Sequence, residues 1–313
     1  MFLTGKGLNC NRAAFMALAL SLALPLGAEP PAHAFRLQWG VPGAGAGQFW
    51  GAYGLTVGPR GEVAVMDFVN DRVEVFDPSG VFLRQWGSKG QGLGQFHHPL
   101  GVAADETGNL YVADTLNDRV VKFDAGGAPI TQWGSAGAGP GEFFNPTALA
   151  WSPSGRLFVV DASNNRLEVF GPSGDFVAAW GQKGSGPGEF NSPDSVAIGP
   201  RGLVYVTDGA NDRVEAFDAS GRFQFQWGKP GKGPGQFDGP AGLAFNGQGH
   251  LFVVDARNNR VQEFSARGGY VGEFGTLGKG PGQFSIPQGV AADAQGNLYV
   301  TDWGGDRVEK FAP

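Results

Sequence analysis

The chain has 313 residues and a formal charge of −6, with 29 acidic side chains against 23 basic ones. That balance argues against a general nucleic-acid role, in which a basic surface supplies most of the affinity. Cys10 is its single cysteine, so no disulfide can form within the chain and paired-thiol chemistry is excluded.

Residues 1–34 read as a secretory signal: Lys6 and Arg12 give a basic start, Ala13–Ala28 are mostly apolar, and Ala32–Ala34 offer a small-x-small cleavage site. The apolar run of 16 residues contains Pro25 and Gly27 and is short for a membrane span, so no stable membrane insertion is expected once it is removed. Cys10 precedes that run, is badly placed for lipidation, and leaves with the signal. Cleavage after Ala34 leaves 279 residues with 21 basic and 28 acidic side chains, a formal charge of −7. An exported protein, periplasmic or secreted, is the expectation.

From residue 35 onward the chain repeats. Gly-Gln/Glu-Phe recurs at Gly47–Phe49, Gly94–Phe96, Gly141–Phe143, Gly188–Phe190, Gly235–Phe237 and Gly282–Phe284, always 47 residues apart. Asp67 and Arg72 and their counterparts keep the same register through Asp302 and Arg307. Each unit reads as four short strands. In the second, "LGVAAD" is strand a, "ETGN" a turn with Gly108 at positive φ, and "LYVAD" strand b. "TLNDR" is the next turn, "VVKFD" strand c, "AGG" a turn and "PITQWG" strand d. Four-stranded units of this length indicate blades of a β-propeller, and six copies predict six blades. The sixth unit stops at "KFAP" without a strand d, while "FRLQWG" at 35–40 is a strand d without its own blade. Pairing the two closes the ring and covers an open sheet edge.

The stretch "GQFHHPLGVAADETGNLYVADTLNDRVVKF" resembles the NHL repeat family, and the likeness extends over 35–313. The resemblance implies an all-β six-bladed propeller. It leaves function open, because the family includes RNA- or protein-binding propellers, a zinc-dependent peptide-amidating lyase, and sensor or scaffold domains.

Residues present in every blade read as framework: the Asp-x-x-Asn-Asp/Asn-Arg turns lock neighbouring sheets, and Trp39, Trp86, Trp133, Trp180, Trp227 and Phe274 fill the wedges between them. Loops such as "GKGPGQF" lack the Gly-Lys-Ser/Thr ending of a phosphate-binding loop and read as tight connections. The residues that differ between blades carry more information. The d–a and b–c connections share one face of a propeller, at the mouth of its channel. There, Trp303, Trp50, Tyr53, Phe68, His97, His98, Leu116 and Phe144 fall in one sector, with Asn145 beside them. Asn191, Asp194, Asp238 and Arg257, with Gln288 of blade 6, supply polar groups around the rest of the mouth. Aromatics that break a regular pattern mark binding surfaces, so a protein, peptide or glycan ligand at this loop face is the leading expectation, with no catalytic residue, cofactor or metal. The alternative is an extracytoplasmic enzyme, a lyase or hydrolase, at the channel mouth. A zinc lyase needs three convergent ligands, but His97 and His98 should lie on the face opposite His250. A hydrolase pairing His98 with Ser192 or Asp194 has no strained nucleophile turn to support it. The lysines at 89, 183, 229, 232 and 279 are too scattered for an RNA-binding face.

Overall fold

The computed structural model describes residues 33–313. Residues 1–32, nearly all of the expected signal, lie outside the described part. Within it, six four-stranded antiparallel sheets succeed one another along the chain. The first five blades span 52–86, 102–133, 146–180, 193–227 and 240–274. Blade 6 takes its strands a, b and c from Pro287–Ala292, Leu298–Asp302 and Arg307–Phe311, and its strand d from Phe35–Trp39.

The closure expected from the leading strand is therefore present. Phe35 pairs with Phe311, Leu37 with Lys310, Gln38 with Glu309 and Trp39 with Val308, with a bulge between Phe35 and Leu37. Blade 1 repeats this arrangement one unit on, where Trp86 pairs with Val73 and Phe82 with Phe76. The described packing includes the two residues before the expected cleavage point, His33 and Ala34. The backbone N–H of Ala312 donates to the Ala34 carbonyl at 2.8 Å, and the His33 ring lies 5.1 Å from that of Phe252 and 5.2 Å from that of Phe274.

Burial follows strand position. Strand b is buried along its whole length in Val63–Asp67 and Leu110–Asp114, because it has a blade on either side. Strand d alternates half-buried and exposed residues, as in Phe35–Trp39 and Phe82–Trp86, because it borders the outside. The apolar core is divided into six clusters, each at the junction of two blades. The phenylalanine of every Gly-Gln/Glu-Phe motif is fully buried in one of these wedges. The strand-d tryptophans pack across the same junctions. Trp86 lies against Gly127 of the next blade, where a Cβ would come within 2.5 Å of the indole and φ is +93°, so glycine is required.

The repeated turn is built around Asp67 and Arg72. Arg72 Nε donates to Asp67 Oδ2 at 2.7 Å, and its other nitrogens donate to the carbonyls of Ala44, Gly45 and Gln48. The guanidinium thus holds the loop entering its own blade. The link to the next blade comes from the neighbouring residue, where Asp71 Oδ1 accepts from the backbone N–H of His98 at 2.6 Å. In blades 1 to 5 an asparagine amide bridges the turn aspartate and a loop carbonyl, as Asn70 bridges Asp67 and Gly43. Gly305 removes that bridge in blade 6. There burial pushes Asp302 up to about 6 against the pull of the Ser285 N–H and Arg307. Among the described residues no helix is long and apolar enough to cross a membrane.

Candidate functional site

The six strands a surround the axis, and each places the same register position at the mouth: Tyr53, Leu100, Thr147, Asp194, Ala241 and Gln288. One residue deeper lies a collar of Gly54, Gly101, Ala148, Ser195, Gly242 and Gly289. Small residues are needed here, since a Cβ on Gly54 would sit 2.2 Å from the Leu100 carbonyl and one on Gly101 would sit 2.4 Å from that of Thr147. Below the collar, Leu55, Val102, Leu149, Val196, Leu243 and Val290 form an apolar floor. The result is a narrow well of about 80 Å³, entered from the loop face.

Asp194 is the one acidic residue in the well's wall, and Tyr53 stands three blades away across the ring. The Asp194 backbone carbonyl accepts a hydrogen bond from Thr147 Oγ1 at 2.8 Å. Its carboxyl is half-buried in the channel wall, and desolvation there pushes it up to about 6. Burial, and after it the charge of Asp194, holds the Tyr53 phenol well above its ordinary value. Thr301 Oγ1 donates to the Tyr53 carbonyl and accepts from the Gly289 N–H, which fixes blade 6 to blade 1 beside the mouth.

An aromatic arc runs outward from Tyr53. Phe68 lies 6.3 Å from Tyr53 and 4.5 Å from His98, and His97 lies 5.1 Å from His98, all between ring centroids. Trp303 covers Gly51, where a Cβ would meet its Nε1 at 2.7 Å. Trp50 is next in sequence and 47% exposed. His98 Nδ1 is buried without a hydrogen-bond partner. The structure thus joins Tyr53, Phe68, His98 and His97 in a chain of ring contacts across blades 1 and 2, with Trp303 over Gly51 and the exposed Trp50 next to that glycine in sequence.

The remaining expected residues are more dispersed. Leu116 and Phe144 are exposed at the rims of blades 2 and 3. Asn145 Nδ2 donates to Ser163 Oγ at 3.0 Å within blade 3, and the Asn191 backbone N–H makes the bond to the turn aspartate, Asp208 Oδ1, that recurs in every blade. Arg257 and Asp238 form an exposed ion pair at 3.3 Å, away from the well. Gln288 joins Tyr53 and Asp194 in the well's wall. His250 lies at the other end of its blade, where its Nδ1 and His33 Nε2 both contact the Glu263 carboxylate, at 2.5 and 2.9 Å. His98 and Ser192 sit in loops of blades 2 and 4 with no hydrogen bond between them. Among the described residues, no group of three or more His, Cys, Asp or Glu side chains converges on a common point.

The model of the NHL repeat matches residues 96–123, 237–264 and 284–311. A second model, described as a 6-bladed beta-propeller, matches 148–203. No curated protein sequence matches the chain. Solved structures share its fold at low identity. A virginiamycin B lyase from Staphylococcus aureus is 14% identical with a TM-score of 0.62, covering 88% of this chain and 98% of that one. A gluconolactonase from Xanthomonas campestris is 15% identical with a TM-score of 0.64, covering 85% and 86%. Hydrazine synthase from Kuenenia stuttgartiensis is 14% identical with a TM-score of 0.61, covering 85% and 96%. Such identities speak for the fold alone. With these matches beside the four-stranded blades and the paired leading strand, the chain is a six-bladed β-propeller that carries NHL repeats.

Proposed function

We propose that this propeller is an exported binding module that holds its ligand on the loop face, with one group of the ligand entering the channel mouth. The observation that carries this reading is the pairing of a narrow well with an aromatic arc along one side of its rim. Aromatic side chains half-open to solvent supply large contact area with little ordering cost, and a concave polar point beside them fixes orientation. Export rests on the sequence of residues 1–34. The rival reading, an enzyme at the mouth, draws its support from Asp194, since a carboxyl lifted to about 6 suits proton transfer near neutral pH.

The test compares three proteins immobilised in turn and exposed to an envelope extract: wild type, Trp50→Ala with Trp303→Ala, and Leu83→Ala. Leu83 lies on the outer edge of blade 1, 43% exposed and far from the mouth. The expected result is one ligand retained by wild type and Leu83→Ala and lost by the double variant. Retention by all three would place binding elsewhere and overturn the reading.

A further inference from the structure

The mouth well has a chemistry that narrows the ligand further. Its wall carries one carboxylate, and no basic residue lines it. Asp194 forms no ion pair, and its side chain takes part in no hydrogen bond with the described residues. Enclosing an unpaired carboxylate is costly, and a cation brought to it relieves that cost. The same charge excludes anionic ligands.

Resting on the binding reading above, we propose that the well takes a protonated primary amine at the end of an alkyl chain, the lysine side chain of a peptide laid across the aromatic arc, with Asp194 as its counter-ion. Size supports a side-chain tip. A well of about 80 Å³, floored by Leu55, Val102 and Leu149, admits a slender group and leaves the rest of the ligand outside. Valence supports an ammonium. Its three N–H groups need three acceptors, and three residues that line the well, Asp194, Tyr53 and Gln288, carry a carboxylate, a hydroxyl and an amide oxygen. The methylenes of the chain lie against Leu100. A guanidinium is broader and planar, with five donors to satisfy, and suits a bidentate carboxylate site better than this one. A divalent cation such as calcium takes six or more oxygen ligands, usually including several carboxylates, which the ring does not supply. Outside the well, Trp50 and Trp303 flank the path of the peptide.

The test titrates three probes into the ¹⁵N-labelled full-length folded protein and follows the amides of Gly101, Gly242 and Gly289. The probes are acetyl-Gly-Lys-Gly-amide, its norleucine counterpart, and n-butylammonium chloride. The lysine peptide is expected to shift these amides and to bind at least about tenfold more tightly than the norleucine peptide, since a charge-assisted hydrogen bond is lost. Asp194→Asn should remove that preference while leaving the melting temperature unchanged or raised, because a part-buried carboxylate without a partner among the described residues is removed. The lysine peptide should also bind more tightly than n-butylammonium, through contacts made on the rim. Equal affinity for the two peptides, no shift up to tens of millimolar, or a preference that survives in Asp194→Asn would overturn the proposal. So would calcium chloride shifting the same amides and displacing the peptide. Equal affinity for peptide and n-butylammonium would overturn the peptide source. These results leave the loop-face reading to its own capture experiment, where Trp50 and Trp303 decide the outcome independently of Asp194.

Discussion

Truncating Trp39 tests whether the ring is closed in solution as tightly as it is built elsewhere. Trp39 belongs to the leading strand. Its ring lies 5.7 Å from Phe76 of blade 1 and 6.1 Å from Tyr299 of blade 6. Trp133 is its counterpart inside the chain, 5.9 Å from Phe170 and 6.2 Å from Tyr111. The two sites present matching aromatic neighbours, both are partly buried, and each packs on a glycine of the next blade, Gly80 and Gly174. Only Trp39 depends on a strand recruited from the far end of the sequence. Truncation of a buried tryptophan costs about 3–5 kcal/mol, and partial exposure places both near the lower end. At about 2–4 °C per kcal/mol for a domain of this size, Trp133→Ala should lower the melting temperature by roughly 6–12 °C. Trp39→Ala should match it. Differential scanning calorimetry, with urea unfolding followed by near-ultraviolet circular dichroism, measures both variants against wild type. If Trp133→Ala shows the full loss and Trp39→Ala stays within about 1 °C of wild type, the leading strand is frayed and the closure argument fails.

The repeated turns give a second contrast. Arg166→Ala leaves Asp161 and Glu168 buried without their cation and should cost about 3–5 kcal/mol in urea unfolding. Glu168→Gln should cost under about 1 kcal/mol, because Gln262 fills the same slot in blade 5 and bonds the Gly235 N–H there. Burial pushes Glu74, Glu168, Glu215 and Glu309 up to about 7 despite their arginines. Folding favours their protonated form, so this stabilisation is complete below the ordinary glutamate range and fades as pH rises through about 7. Glu168→Gln should therefore flatten stability against pH from mildly acid to neutral, and an unchanged slope would refute the assignment. Glu263 behaves oppositely: the His33 hydrogen bond lowers its pKa, burial opposes this, and His250 adds to the lowering. Its contribution is present above the ordinary glutamate range and is lost as pH falls through the lowered value, so Glu263→Gln should flatten the acid limb of the melting curve. A chain beginning at Ala32 should melt above one beginning at Phe35, since only the longer one retains His33 and the Ala34 carbonyl bonded to the Ala312 N–H; equal melting temperatures would show those contacts to be without weight.

The fold was legible because its information is periodic. A constant spacing fixed blade number, strand order and the partner strand of Phe35–Trp39, whereas the residue-by-residue register, with Trp39 opposite Val308, came from the structure. The site was legible only in part, because its meaning lies in the departures from the period. Tyr53, Asp194 and Gln288 stood out as unlike residues in loop-proximal slots. Their gathering around one well follows from the shared register with Leu100, Thr147 and Ala241, a ring that sequence alone could have drawn. The collar and floor were missed, because glycine and small aliphatic residues in strand a look like ordinary packing until the strands converge on an axis. The rim pair Arg257 and Asp238 was grouped with the mouth by its slot, whereas the two satisfy each other in solvent. The His33 contact fell inside a stretch read as signal, and a targeting pattern gives no hint that its last residues pack on the body. The role of the turn arginine also needed coordinates, since its fan of bonds reaches backbone carbonyls that carry no sequence identity.

The pairing of Phe35 with Phe311 joins residues 276 positions apart by their numbering, and that has a consequence for how the molecule assembles. Local hairpins within each blade form fast, but the final strand must wait until the whole chain is available. Until then strand c of blade 6, Arg307–Phe311, presents an unsatisfied edge, and Phe35–Trp39 is a free strand with the matching sequence. At high concentration that strand can dock on the last blade of another copy, giving exchanged dimers or open chains of propellers linked head to tail. Dilution favours closure within one chain, whose rate does not depend on concentration. Refolding yield should therefore fall as protein concentration rises, and the lost fraction should consist of propellers joined through one another's leading strand.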